Sequence, residues 1–125
     1  MGWHLLWLSV TGAAGTLCRY WLDGLISNLI GKSFPWGILV VNVLGCFLFG
    51  LVWPLAEERL VISGETRAII LIGFMGSFTT FSTFTFQTAQ FLRDSQWLLA
   101  AANIVAQVVL GLVFLSLGLA LGNRL

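Results

Sequence analysis

Four predominantly apolar stretches, at about residues 3–30, 36–55, 66–92 and 97–121, take up nearly all of the 125-residue chain. Each meets the roughly 20 residues a helix needs to cross a bilayer core about 30 Å thick at about 1.5 Å per residue. With 58% hydrophobic and only 9% charged residues, the composition lies far from that of a soluble domain. The sequence predicts an all-α membrane protein with four transmembrane helices in a single domain. Any function must then be carried by residues within the bilayer or at its edge.

The spans are separated by helix-stopping chemistry. Gly31, Lys32, Ser33, Phe34 and Pro35 close the first, and Glu57, Glu58 and Arg59 follow Pro54 at the end of the second. Residues 57–67 form the longest polar connection, whereas Arg93, Asp94, Ser95 and Gln96 make a tight link. Trp3, Trp7, Tyr20 and Trp21 suit interfacial aromatic belts, with Tyr20 and Trp21 rather deep for that position. The first stretch lacks a basic leader and continues past Arg19 without a cleavage site, so it reads as a retained helix. Cys18 and Cys46 sit in apolar stretches and read as buried free thiols.

Net charge is +1 with no basic run, which removes the electrostatic footprint of a nucleic-acid binder. No His, Cys or carboxylate cluster suits zinc, and no nucleophile is placed with a base, so an enzyme is not expected. His4 is expected at the membrane interface. In a four-span chain Arg59, Arg67 and Arg124 share one side, and Lys32 and Arg93 the other. So small a bias scarcely fixes orientation under the positive-inside rule. Copies inserted both ways can then pair as an antiparallel two-fold dimer, with each functional feature present twice.

The third span is the anomaly. Ser77, Thr79, Thr80, Ser82, Thr83, Thr85, Gln87, Thr88 and Gln90 stand among its phenylalanines. Hydroxyls can bond back to their own helix, but lipid offers no partner to so dense a cluster, which favours a pathway lining over packing alone. Gly73, Gly76, Thr79 and Thr80 are poor helix formers at mid-span. Either the helix is interrupted there, freeing carbonyls that a monovalent cation can satisfy, or it continues and its glycines permit close packing. Phe74, Phe78, Phe81 and Phe84 recur at intervals of four, three and three, which predicts one helical face. Such a stripe is ordinarily core or lipid-facing; the sharper reading uses the electropositive ring edges to contact an anion.

Asn42 lies mid-span among Gly37, Gly45 and Gly50, where its amide either joins two helices or donates to an anion, helix joining being the commoner use. Asn103, Gln107 and Gly111 repeat every four residues, a polar-to-small stripe able to face the phenylalanines, while Gly118 and Gly122 read as packing. Arg19 either snorkels, pairs with Asp23, or supplies positive potential at the mouth of an anion path.

GAAGTLCRY at 12–20, FPWGILVVNVLGCFLFG at 34–50 and GFMGSFTTFSTFTFQ at 73–87, with a fourth helix carrying Asn103 and Gln107, closely resemble the Fluc (CrcB) fluoride channels over essentially the whole chain. That resemblance implies a fluoride-selective channel that exports fluoride passively across the bacterial cytoplasmic (inner) membrane and protects against its toxicity. It implies an antiparallel dual-topology homodimer with the third helix broken near its middle, two fluoride pores and one structural sodium ion. Sodium would be held by the backbone carbonyls of Gly76 and Thr79 from each subunit. Phe81 and Phe84 would be the pore phenylalanines, Asn42 a donor to fluoride, and Ser82 or Thr83 part of the lining. Asn103 and Gln107 would continue the polar track, and Arg19 would stand near the vestibule. The chain departs from the family at Gln107 or Gly111, where many relatives place a hydroxyl, and at Gln87, where many carry Glu.

Two other classes compete with a channel. A proton-coupled multidrug or small-ion exporter calls for a deep acidic residue, and the only acid within a span is Asp23, near the end of the first. Residue types alone do not separate a proton-coupled fluoride antiporter from a channel. A non-conducting structural membrane subunit is the third reading.

Overall fold

Every regular element among the described residues of the computed structural model is helical; the description covers all residues except Met1, Arg59 and Val61. Arg59, which enters the loop charge count, thus lies outside the described residues. The elements are α1 (Gly2–Ile30), α2 (Trp36–Glu57), α3 (64–78), α4 (Phe81–Arg93) and α5 (Trp97–Arg124). Three spans, Trp36–Glu57, Gly64–Arg93 and Trp97–Arg124, are long and apolar enough to cross a membrane. Helix α1 has 29 residues, about 43 Å at 1.5 Å per residue. It has the length of a span, but Ser9, Thr11, Thr16, Arg19 and Asp23 dilute its apolar character.

Local chemistry explains the ends. Gly31 adopts φ +117° and its N–H reaches back to the Ser27 carbonyl at 2.9 Å, so the left-handed residue that stops α1 is the one without a Cβ. Pro35 then precedes the first turn of α2. Pro54 does not end α2. Buried against Gly122 of α5, it is carried inside the helix, which runs on to Glu57. Ser63 caps α3 by accepting the Thr66 N–H at 3.2 Å, and the third span begins at Gly64, two residues before the expected start.

Two clusters mark the ends of the bundle. At one, Arg67 pairs with Glu57 and lies over the Trp53 ring at 5.2 Å, and His4 Nε2 stands 3.2 Å from the Glu65 carboxylate. At the other, a polar cavity of about 450 Å³ gathers Asp23 and Ser27 from α1, Lys32 from the first loop, and Gln87, Gln90 and Asp94 from α4 and its exit. The chain therefore runs back and forth between these ends.

Packing is closest between α2 and α5. Gly118 lies on the Phe47 carbonyl and Leu51, and Gly50 on the Leu115 carbonyl and Leu119, so the two backbones touch where side chains are missing. Helix α1 meets α3 in the same manner, with Gly15 against the Phe74 carbonyl and Phe78. Residues Ile69–Met75 of α3 are wound as a π-helix, and the Thr11 hydroxyl reaches the Ile69 carbonyl there at 3.2 Å. Cys18 and Cys46 are free and only half-buried in the subunit.

Candidate functional site

Between α3 and α4 the backbone leaves helical geometry for two residues: Thr79 has φ −82°, ψ 155° and Thr80 φ −146°, ψ 113°. In a continuous helix the Thr80 N–H would bond to the Gly76 carbonyl. Here it donates to Asn42 Oδ1 at 2.8 Å. The Thr83 N–H, which would serve the Thr79 carbonyl, instead donates to the Thr80 hydroxyl at 3.2 Å, an N-cap that restarts the helix. The carbonyls of Gly76 and Thr79 thus both lose their helical donors.

Asn42 holds this interruption. Besides accepting from the Thr80 N–H, its amide nitrogen donates to the Thr80 carbonyl at 3.1 Å and to Gln107 Oε1 at 3.0 Å. One side chain of α2 thus ties the start of α4 to α5. One turn earlier in α5, Asn103 is fully buried and donates to the Thr88 hydroxyl at 3.0 Å, which in turn donates to the Phe84 carbonyl at 2.9 Å. Both expected alternatives for Asn42 involve its amide, and the observed geometry is helix joining.

Polar atoms buried without a protein partner are rare in folded chains, because each forgoes its hydration. Gln87 Oε1, Asn103 Oδ1 and Gln107 Nε2 are three of them, on the facing helices α4 and α5. Beside this seam Phe81 and Phe84 meet at 5.6 Å with their planes 65° apart, so that the edge of one ring addresses the other. Phe84 is buried, whereas Phe81 is 75% exposed on the subunit surface. The Ser82 hydroxyl lies 3.3 Å and that of Thr83 3.0 Å from Thr80 Oγ1.

The expectation of one phenylalanine stripe is corrected by this geometry. Periodicity counts residues along an unbroken helix, and the two extended residues reset the phase. Phe74 and Phe78 stack on each other at 5.7 Å and line an apolar hollow with Cys18, Leu22 and Leu48, while Phe81 and Phe84 form a separate pair. Among the described residues Arg19 makes no ion pair, and Asp23 accepts from Ser27 at 3.3 Å, so the Arg19–Asp23 pairing is not formed. Arg19 is half-buried on α1. Thr80 and Thr88 were visible only as members of a polar cluster. The Thr80-x-x-Thr83 spacing is the signal that marks the restart, whereas the Thr88–Asn103 bond follows from tertiary packing alone.

A helical integral membrane protein with a polar seam set inside its spans, and a mid-span interruption pinned by a neighbouring helix, is the class these features define. The chain belongs to the family described as CrcB-like protein, Camphor Resistance (CrcB), which it matches over residues 6–119. It is 64% identical over 114 residues, 91% of each chain, to a protein of Nitrosococcus oceani named Fluoride-specific ion channel FluC. Proteins of the same name from Solidesulfovibrio magneticus and Maridesulfovibrio salexigens are 53% identical over 116 residues and 47% over 118, covering 93% and 94% of each chain.

Proposed function

We propose that this protein is a fluoride-selective channel that lets fluoride leave the cell passively across the bacterial cytoplasmic membrane. The observation that carries a permeation route is the pair of partnerless polar atoms on α5, Asn103 Oδ1 and Gln107 Nε2, in the same subunit as the edge-to-face rings of Phe81 and Phe84 and the partnerless Gln87 Oε1 of α4. The relatives' names supply the ion. Fluoride is small and strongly hydrated, so a conducting path must replace its water with donors weak enough to release it. Amides, the hydroxyls of Ser82 and Thr83, and ring edges meet that requirement without a fixed cation in the path. Arg19, half-buried on α1 and free of ion pairs among the described residues, raises the local positive potential at the vestibule.

In this reading all four spans cross the bilayer and the interrupted third span lies at the centre of an antiparallel dual-topology homodimer. The surface character of the subunit supports pairing: Phe81 is a 75% exposed aromatic just after the interruption, and Gly76, a few residues before it, is exposed as well. The carbonyls of Gly76 and Thr79, deprived of helical donors, fit a structural sodium ion, two from each subunit. Bound sodium would neutralise the carbonyl dipoles and lock the two interruptions together. Labelling of the C-terminus from each side of the membrane tests the topology, and finding it on one side in every copy overturns the antiparallel pairing.

The function itself is tested by fluoride efflux from proteoliposomes under a potassium–valinomycin shunt, with chloride as the control. Rapid fluoride efflux without comparable chloride efflux is expected. Fluoride movement that requires a pH gradient overturns the channel in favour of a proton-coupled antiporter, and no movement of any ion leaves a structural subunit.

A further inference from the structure

We propose that Thr11 of α1 is a positioning residue for the mid-span interruption: it holds α3 in its π-helical winding and so sets where the Gly76 carbonyl stands. The assignment rests on the reading of Gly76 and Thr79 as sodium ligands. Helices α1 and α3 interlock through two reciprocal contacts. A Cβ added at Gly73 would fall on the Thr11 hydroxyl oxygen, and one added at Gly15 would fall on the Ser77 hydroxyl oxygen and the Phe74 carbonyl. Each helix thus offers a hydroxyl side chain to a glycine of the other. Both hydroxyls have acceptors on their own helices, Thr11 at the Trp7 carbonyl (2.8 Å) and Ser77 at the Gly73 carbonyl (2.7 Å), so what each contact demands of the facing helix is empty space.

The interlock dictates the winding. The Thr11 oxygen lies 3.2 Å from the Ile69 carbonyl as well as over Gly73, and Ser77 sits on Gly15, so α3 must turn Ile69, Gly73 and Ser77 toward one neighbour. At 3.6 residues per turn Ile69 and Ser77 would stand about 80° apart around the axis. A π-helix places more residues in each turn, and Ile69–Met75 are wound that way. The wide ladder ends on Gly76, whose N–H reaches the Leu71 carbonyl as well as that of Phe74. Returning one residue to α winding would turn Gly76 by about 100° around the axis. Across the interruption, the Thr80 N–H that donates to Asn42 belongs to the same planar peptide as the Thr79 carbonyl. The two carbonyls are therefore placed by different neighbours, Gly76 by α1 and Thr79 by α2.

The test follows the thermal unfolding midpoint of purified protein in detergent as sodium chloride replaces N-methylglucamine chloride at constant ionic strength. An ion that binds only the folded protein raises the midpoint once its concentration passes the dissociation constant, so the onset of the rise reports sodium affinity. Wild type is compared with Gly73→Ala, Thr11→Gly and the Thr11→Gly/Gly73→Ala pair. Gly73→Ala drives a Cβ onto Thr11, and Thr11→Gly empties the contact; each is expected to move the onset to roughly tenfold higher sodium. In the pair the new methyl group occupies the space Thr11 has left, and the onset should return to within about threefold of wild type, a coupling that two independent losses would not show. A merely structural role would lower the midpoint equally at every sodium concentration and leave the onset in place. A wild-type onset in both single variants, or a pair no better than the worse of them, overturns the assignment. If Gly73→Ala does not fold, the comparison of Thr11→Gly with the pair decides by the same criterion. A wild type indifferent to sodium removes the sodium reading and this assignment together, whereas a responsive wild type with unshifted variants removes the assignment alone.

Discussion

The two halves of α5 are built for opposite ends. From Gly111 onward the helix presents Gly118 and Gly122 to α2, so that backbone meets backbone. Its earlier half presents Asn103 and Gln107, both carrying a buried polar atom without a partner. Close glycine packing in a bilayer gains dispersion contact at little entropic cost. Burying an unsatisfied amide costs free energy. The difference teaches that the glycine half fixes where α2 and α5 stand, which lets the polar half keep its amides in a costly but defined arrangement.

Substitutions that invert each half test this contrast. The largest effect is expected from Gly118→Leu, where the new side chain would meet the Phe47 carbonyl and the Leu51 backbone. Backbone cannot yield as a side chain does, so a cost of about 3 kcal/mol or more is expected, seen as loss of folded protein on gel filtration. Next comes Phe81→Ile, which removes an exposed aromatic edge while leaving the subunit core alone. Fluoride efflux should fall to near background with elution unchanged, and undiminished efflux would remove Phe81 from the mechanism.

Thr80→Ala is expected to be milder. It deletes the hydroxyl that caps α4 and should cost about 1 kcal/mol, measured as a lower midpoint in detergent-induced unfolding. Thr88→Val should be smallest. It breaks the bond to Asn103 and should cost about 0.6 kcal/mol, so a Thr88 effect exceeding that of Gly118→Leu would reverse the assignment of the two halves.

How far the sequence could be read follows the same division. Helix ends depend on neighbours in the chain, and Gly31, Pro35 and the Arg93–Gln96 link announce themselves. Pro54 misleads because its place inside α2 is decided by contact with Gly122. At Thr79 and Thr80 residue type leaves two readings open, since the bonds that decide between them come from Asn42, 38 residues away. The π-helix is silent in sequence for a similar reason: its contact with Thr11 joins residues 58 apart. The phenylalanine spacing misleads because a period holds only while the helix does. Candidate residues were thus legible by type, but which of their hydrogens remain free was not.

The central claim is passive, selective conduction of fluoride. The most direct test is the reversal potential of the reconstituted protein with fluoride on one side of a planar bilayer and chloride on the other, measured with and without a pH gradient. The account predicts a potential that follows the fluoride gradient and ignores both chloride and pH. A potential that follows chloride, or one that moves with the pH gradient, would contradict it.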